Sequence, residues 1–202
     1  MLFRSVDGIA CFQYSICFLN NNTVQGASDA GVVIGRGTLA DLTGNTIQGN
    51  AGNGLNAING ANAAVIGGTI ESNGGAGAFA NNQSLLRFIN DGSAPVTVQN
   101  NGQEGVFGIA NVTITLTFNG AAITGNTGDG VAMLRASVLQ VTGQNQITSN
   151  GGVGVSVSHS SFAFVAGDAN VSGNTGGDVA CGGTFSNVQA VGGNVALSCH
   201  NP

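Results

Sequence analysis

Apolar and polar positions along this chain recur as a block. The stretch Ile123-Thr-Gly-Asn126-Thr-Gly-Asp-Gly130-Val131 returns as Ile147-Thr-Ser-Asn150-Gly-Gly-Val-Gly154-Val155. Successive copies begin 23 to 28 residues apart, at the apolar residues Val24, Ile47, Ile70, Val98, Ile123, Ile147, Val171 and Val195. A period in this range predicts a solenoid in which each repeat forms one coil.

Within a coil, apolar residues alternate with other residues. With the lead residue as position zero, positions eight and ten are apolar, as in Val155 and Val157, and positions sixteen and eighteen are apolar, as in Leu139 and Val141. Alternation with period two indicates β-strands, and no stretch shows the 3.6-residue period of a helix. The pattern predicts an all-β solenoid of about eight coils, each with about three short strands joined by turns.

Two polar positions recur as regularly as the apolar ones. Position three is asparagine in Asn50, Asn73, Asn101, Asn126, Asn150 and Asn174, and position seven is glycine in Gly31, Gly54, Gly77, Gly105, Gly130 and Gly154. Stacked asparagines can form an amide ladder at about 4.8 Å per coil. Glycine at position seven fits a turn that requires a positive φ, which asparagine also tolerates. Both residue types are interpreted as structural.

The recurring motif Ile-x-Gly/Ser-Asn-x-Gly-x-Gly-Val resembles the right-handed parallel β-helix repeat proteins of the pectate-lyase-like superfamily. The resemblance covers Val6 to about Leu197. It implies a single-stranded right-handed parallel β-helix as one domain over residues 6–202, with a C-terminal cap from about residue 181. Because the superfamily includes lyases, hydrolases, epimerases, tailspikes and adhesins, the resemblance implies a fold rather than an activity.

Composition narrows the classes of partner. The chain has 202 residues, of which 6% are charged and 42% hydrophobic, and its net charge is −5 with four Lys or Arg residues in total. No basic face is available for a phosphate backbone, so no nucleic-acid partner is expected. Polar residues interrupt every apolar stretch before about 18 residues, so no membrane span is expected.

The first five residues do not fit the repeat. Residues 1–5 are interpreted as a non-native scar, with a genuine short start as the alternative, and they do not form the charged and apolar regions of a signal peptide. On the first interpretation an export signal is missing. We therefore expect an extracellular or cell-surface protein whose signal peptide is not in this sequence.

The four cysteines lie in pairs at the two ends of the repeat array. We expect Cys181 and Cys199 to form a disulfide that holds the tail against the last coil, because a solenoid end needs a cap. Cys11 and Cys17 either bridge within one coil or remain buried thiols. No Cys/His spacing suggests zinc.

Catalytic motifs of the superfamily are not found in the sequence. The Gly-His-Gly and Arg-x-Lys segments of polygalacturonases and the Asp-Pro-His-Glu motif of alginate epimerases are missing. Ser158 and His159 are adjacent, but strand neighbours point to opposite faces, so no nucleophile–base pair is expected. Glu104 and Asp129, both at position six of adjacent coils, are weak candidates for a calcium or acid–base site, or else solvated turn residues. No cofactor is otherwise expected.

Positions fifteen and seventeen should face outward from the strand that buries positions sixteen and eighteen. We therefore name Arg87, Phe162 and Phe164 on this face, with Arg135 and His159 at position twelve, as candidate ligand-binding residues. Exposed aromatic and apolar side chains on a flat sheet can stack on sugar rings or seat a protein partner. The alternative is that the inside/outside phase is shifted by one residue, which would exchange the two faces.

The sequence favours a non-enzymatic role. We interpret the chain as a fragment of an exported bacterial β-helix protein that serves as a surface, adhesion or carbohydrate-contact scaffold, with a polysaccharide or a protein as partner at a sheet face. The alternative is a polysaccharide lyase or another carbohydrate-active enzyme whose catalytic coils are missing or diverged.

Overall fold

The computed structural model describes residues 6–90, 92, 94–118, 120–192 and 199–201. In these residues 24 strands, numbered β1 to β24 in chain order, form three sheets and no helix is present. The predicted all-β solenoid is confirmed. The described residues contain no helix that is long and apolar enough to span a membrane. Residues 1–5, which the sequence sets apart from the repeat, lie outside the described part of the chain.

Within the described residues, seven coils contribute one strand to each sheet, the next coil adds one strand each to sheets A and B, and the C-terminal strand pairs at the edge of sheet B. Sheet A contains β1 (Ile9–Cys11), β4 (Val32–Gly35), β7 (Leu55–Ile58), β10 (Ala78–Asn81), β13 (Val106–Ile109), β16 (Val131–Leu134), β19 (Val155–Ser158) and β22 (Val179–Gly182). Sheet B contains β2 (Ile16–Asn20), β5 (Leu39–Thr43), β8 (Asn62–Ile66), β11 (Leu85–Ile89), β14 (Thr113–Thr117), β17 (Val138–Thr142), β20 (Phe162–Ala166), β23 (Ser186–Val191) and β24 (Cys199–Asn201). Sheet C contains β3 (Thr23–Gln25), β6 (Thr46–Gln48), β9 (Thr69–Glu71), β12 (Val96–Gln99), β15 (Ala121–Thr124), β18 (Gln146–Thr148) and β21 (Asn170–Ser172).

The strands stack in parallel with equivalent residues in register. Leu139 pairs with Ala163 in sheet B, and Ile147 pairs with Val171 in sheet C. The repeat therefore places each apolar position in a column that runs along the solenoid and is buried in its interior. Full burial of an aliphatic side chain contributes about 1.5–3 kcal/mol, and the sheet C column is almost completely buried at Ile47, Ile70, Val98, Ile123, Ile147 and Val171.

The predicted asparagine ladder is confirmed. Each asparagine from Asn50 to Asn150 donates its side-chain Nδ2 to the Oδ1 of the asparagine one coil later, at 2.9 to 3.0 Å. Each Nδ2 also donates to a backbone carbonyl of the preceding coil, as in Asn126 to Val98 at 3.1 Å. At the last member, Asn174, the carboxylate Oδ1 of Asp178 takes the acceptor position at 3.3 Å. The ladder thus satisfies polar groups that the turn would otherwise leave buried and unpaired.

The predicted reason for glycine at position seven is wrong. None of these glycines, nor the asparagines at position three, lies in the left-handed region of φ. A Cβ on Gly130 would instead meet the Cγ2 atom of Ile147 and would lie 2.6 Å from the carbonyl oxygen of Gly154. The positive φ, between 54° and 73°, belongs to position two, at Gly26, Gly49, Ser72, Asn100, Gly125, Ser149 and Gly173. Close contact between coils therefore fixes glycine at position seven.

Both cysteine pairs form disulfides. The expected Cys181–Cys199 bridge is present with a Cα–Cα distance of 5.8 Å, and Cys11 and Cys17 bridge within the first coil at 6.4 Å. The Cys181–Cys199 bridge ties β24 to the last coil, where β24 pairs antiparallel with β23. Disulfides are typical of proteins in oxidising compartments, so the two bridges weakly suggest an extracellular location.

Candidate functional site

The outer face of sheet B carries side chains from two positions of each coil. Leu139 and Val141 are fully buried, whereas Val138 and Gln140 face outward from the same strand β17. The predicted inside/outside phase is therefore correct. Pairing in register places Phe18, Asp41, Ala64, Arg87, Thr115, Gln140, Phe164 and Gln189 in one column along the centre of this face.

A depression of about 340 Å³ lies on this face near the N-terminal end of the solenoid. We call it the sheet B depression, and it is lined by Ile16, Phe18, Leu39, Ala40, Asp41, Asn62 and Arg87. Ile16, Phe18 and Leu39 form its apolar side and are 66%, 67% and 50% exposed. Strands β5, β8 and β11 bring the polar side together, because they are consecutive in the sheet.

Small residue size at the centre of the column shapes the polar side of the sheet B depression. Ala64 separates Asp41 from Arg87 in the register of the sheet, and the residue is only 2% exposed. The Arg87 side chain reaches back one strand, where its Nη2 donates to Oδ1 of Asn62 at 3.0 Å. Its Nε is buried and has no hydrogen-bond partner among the described residues.

The sheet B depression combines side chains that are able to recognise a sugar. A guanidinium, a carboxylate and an amide lie beside an apolar platform, the combination that binds the hydroxyl-rich edge and the apolar face of a sugar ring. Elsewhere in the described residues, no group of three or more His, Cys, Asp or Glu side chains could hold a metal ion.

Comparison with known proteins identifies a family and a solved structure with this architecture. The family profile described as "Right handed beta helix region" matches residues 7–176. The chain belongs to the right-handed β-helix family. It is also similar to the solved structure of the Azotobacter vinelandii mannuronan C-5 epimerase AlgE6 A-module, with a TM-score of 0.57 and 16% sequence identity. No curated protein matches the chain.

The alignment with the AlgE6 A-module covers 90% of this β-helix but 55% of the module. The chain therefore spans about half the length of that structure. At 16% identity the likeness shows the fold alone.

The predicted ligand-binding residues lie at three separate places on this β-helix. Arg87 lies in the sheet B depression. Phe162 and Phe164 lie on β20, three strands further along the same face, which is roughly 14 Å away at about 4.8 Å per strand. Arg135 and His159 lie on adjacent coils at the turn between sheets A and B, in a groove of about 540 Å³.

The orientation of His159 relative to Ser158 differs from the one expected for strand neighbours. His159 has a φ of 54°, so it leaves the alternation of the strand, and its Nδ1 lies 3.0 Å from Oγ of Ser158. The expectation that the two side chains point to opposite faces is wrong for this reason.

The carboxylate of Asp129 accepts hydrogen bonds from residues of the next coil. Its Oδ1 accepts a hydrogen bond from the backbone N of Val153 at 2.7 Å, and its Oδ2 accepts one from Oγ of Ser156 at 2.5 Å. Both oxygens of this candidate are therefore engaged by protein donors. Calcium binding by Glu104 and Asp129 stays a prediction.

An apolar area on the outer face of sheet A was not predicted. The rings of Phe79 and Phe107 pack with their centroids 5.5 Å apart, and Ile58, Ile109 and Leu134 face outward in the neighbouring column. The signal was present in the sequence, because positions nine and eleven alternate with the buried positions eight and ten.

Proposed function

We propose that this β-helix is a carbohydrate-contact scaffold of an exported protein and that the outer face of sheet B binds a polysaccharide chain. The observation that carries the proposal is the sheet B depression, where exposed apolar side chains lie beside Asp41, Asn62 and Arg87.

The outer face of sheet B continues beyond the depression along the central column, which favours a polymeric ligand over a small sugar. Phe164 belongs to the same central column as Arg87, and Thr115 and Gln140 lie between them. A chain that lies along this column would contact the depression at one end and Phe162 and Phe164 at the other. Its hydroxyl groups would meet the polar side chains in between.

The experiment is a thermal-shift titration of the chain with mannuronan, alginate, polygalacturonate, xylan and glucans, each with and without calcium. Mannuronan belongs in the panel because the structural neighbour is named as a mannuronan epimerase. A ligand at 100 times its dissociation constant adds about 2.7 kcal/mol of stability, which appears as a higher midpoint. We expect at least one polysaccharide to raise the midpoint.

Three variants locate the contact. Arg87→Ala should remove the shift if the depression binds, and Phe164→Ala should weaken it if the polymer extends along the column. Phe118→Ala is the matched control, since Phe118 is 76% exposed and lies outside both areas. The proposal would be refuted if no polysaccharide raised the midpoint, or if neither Arg87→Ala nor Phe164→Ala changed the shift.

A further inference from the structure

A hollow of about 450 Å³ lies where sheet C meets the turn that follows its strands. We call it the sheet C groove, and it is lined by Gln25, Gly26, Gln48, Gly49 and Ser72. These residues hold positions one and two of three successive coils. The groove therefore runs along the solenoid, beside a different sheet from the one that carries the sheet B depression.

Two consecutive glycines open the sheet C groove. Gly26 and Gly49 have φ values of 73° and 60°, and a Cβ on either residue would meet no atom within 4 Å. Asn100 holds the same position at a φ of 55°, so the turn itself does not require glycine. Ser72 takes this position in the next coil, and the row of glycines ends there. The missing side chains of Gly26 and Gly49 are thus what leaves the space.

Glutamine amides line the same groove. Gln25 and Gln48 pair in register, and Nε2 of Gln48 donates to Oε1 of Gln25 at 3.0 Å. A primary amide has two N–H donors and one acceptor oxygen. Within the described ranges of the chain, the N–H groups of the Gln25 amide and the Oε1 of Gln48 have no protein partner. The amide pair therefore presents both donors and an acceptor to a ligand.

The charge around the sheet C groove disfavours an anionic ligand. None of the five lining residues is charged. The next residue in the glutamine column is Glu71, whose Oε2 accepts a hydrogen bond from Nε2 of Gln99 at 2.7 Å. A carboxylate at this place repels another carboxylate or a sulfate. The lining residues also include no large apolar side chain, so an apolar ligand would gain little by burial there.

We propose that the sheet C groove binds a neutral saccharide, with its hydroxyl groups on the amides of Gln25 and Gln48 and its ring over Gly26 and Gly49. A hydroxyl group both donates and accepts, so it matches an amide pair that offers both. Glycine leaves the backbone open to close approach by the ring. The site is additional to the outer face of sheet B and does not depend on binding there. A chain with both surfaces can hold two glycans at once, which raises its overall avidity.

The test is a titration of the 202-residue chain, labelled with ¹⁵N, with cellohexaose, xylohexaose and mannohexaose. The side-chain amide signals of Gln25 and Gln48 are followed by NMR, and an oligogalacturonate serves as the acidic comparison. We expect at least one neutral hexasaccharide to shift both signals saturably and the acidic oligosaccharide to leave them unchanged. A sugar that binds only the sheet B depression would not move these signals, so the two sites are distinguished.

One substitution fills the sheet C groove without changing the turn. Gly49→Asn places a side chain in the groove at a φ that Asn100 also adopts at this position, and it should raise the dissociation constant at least about tenfold. Gly173→Asn is the matched control. Gly173 also holds position two, with a φ of 67° and no atom within 4 Å of an added Cβ, but it lies in a coil far from the groove. This variant should bind as the original chain does.

A second variant removes part of the amide pair. Gln48→Ala should weaken binding about three- to tenfold, the loss expected for one hydrogen-bonding side chain. Circular dichroism checks that each variant keeps its β-structure. The proposal would be overturned if no neutral hexasaccharide moved the two glutamine signals, if the oligogalacturonate moved them as strongly, or if Gly49→Asn and Gly173→Asn bound equally well.

Discussion

Removal of one asparagine from the middle of the ladder should cost about twice as much stability as removal of the first one. Asn126 and Asn50 are each 1% exposed, and both donate Nδ2 to the next asparagine and to a backbone carbonyl. They differ on the acceptor side. Oδ1 of Asn126 accepts from the backbone N of Asn101 at 3.1 Å and from its Nδ2 at 2.9 Å. Oδ1 of Asn50 accepts from the backbone N of Ala27 at 3.0 Å.

The magnitude follows from the number of donors left without a partner. Asn126→Ala leaves two buried donors of Asn101 unsatisfied, and Asn50→Ala leaves one donor of Ala27 unsatisfied. At about 1–3 kcal/mol for each buried group, we expect a loss of about 2–6 kcal/mol for Asn126→Ala and about 1–3 kcal/mol for Asn50→Ala. Both variants lose the Nδ2 bonds to the next asparagine and to a carbonyl of the preceding coil. Asn126→Ala also loses a bond from Nδ2 to the carbonyl oxygen of Thr124 at 3.3 Å, which acts in the same direction as the difference in unsatisfied donors.

The assay is urea denaturation followed by circular dichroism, since the chain has no tryptophan. Because a stack of repeats can lose coils separately, hydrogen exchange of the Asn101 amide reports the local effect alongside the global one. The amide should exchange much faster in Asn126→Ala than in Asn50→Ala. Equal losses of stability in the two variants, or protection of the Asn101 amide in both, would refute the account of the ladder as a chain of satisfied donors.

Two further predictions concern the disulfides and the glycines. Serine replacement of both cysteines of the Cys181–Cys199 bridge, which has a sequence separation of 18, should cost about 3 kcal/mol, against about 2 kcal/mol for the Cys11–Cys17 bridge with a separation of six. Urea denaturation measures both losses, and the reverse order would contradict the loop-closure argument. Gly130→Ala should cost about 1–3 kcal/mol because its Cβ would press on Ile147. Gly49→Asn, at a φ of 60° with open space around it, should stay within about 0.5 kcal/mol of the original chain in the same experiment.

The fold could be predicted from the sequence because each coil repeats the same pattern of contacts. Ile123 and Ile147 occupy equivalent positions, and they pair in register in sheet C. Such a column can be predicted from the repeat alone, without knowledge of other contacts between distant residues. The ladder was predictable for the same reason, since Asn126 and Asn150 recur at one position and an amide both donates and accepts.

The turn conformation was harder to predict because the residue type at position two varies. Gly125 and Ser149 both adopt a positive φ there, but their identities differ from coil to coil. The recurring glycine, as in Gly130, favours a local turn explanation at position seven, where the constraint is instead the distance to the next coil. A conserved position within the repeat thus indicated a contact between coils, which local turn preferences do not describe.

The candidate site could be predicted only in part. The register places Asp41, Ala64 and Arg87 in one outward column, and the period of two identifies that column. The direction in which Arg87 extends depends on Asn62 in the strand before it, which lies in another column of the sheet. A long, flexible side chain has several rotamers from one backbone position, so its contacts require the surrounding geometry.

The sheet B depression lies where the repeat imposes the least constraint. Interior columns, the ladder and the position-seven glycines must be nearly the same in every coil, because each contacts its copy above and below. Outward positions carry no such requirement, and the central column of sheet B accordingly changes from Phe18 to Asp41, Ala64 and Arg87 in four successive coils. A specific site on a solenoid has to be built from differences between coils. The outer face of sheet B has such differences beside the sheet B depression, so we expect a ligand to bind there.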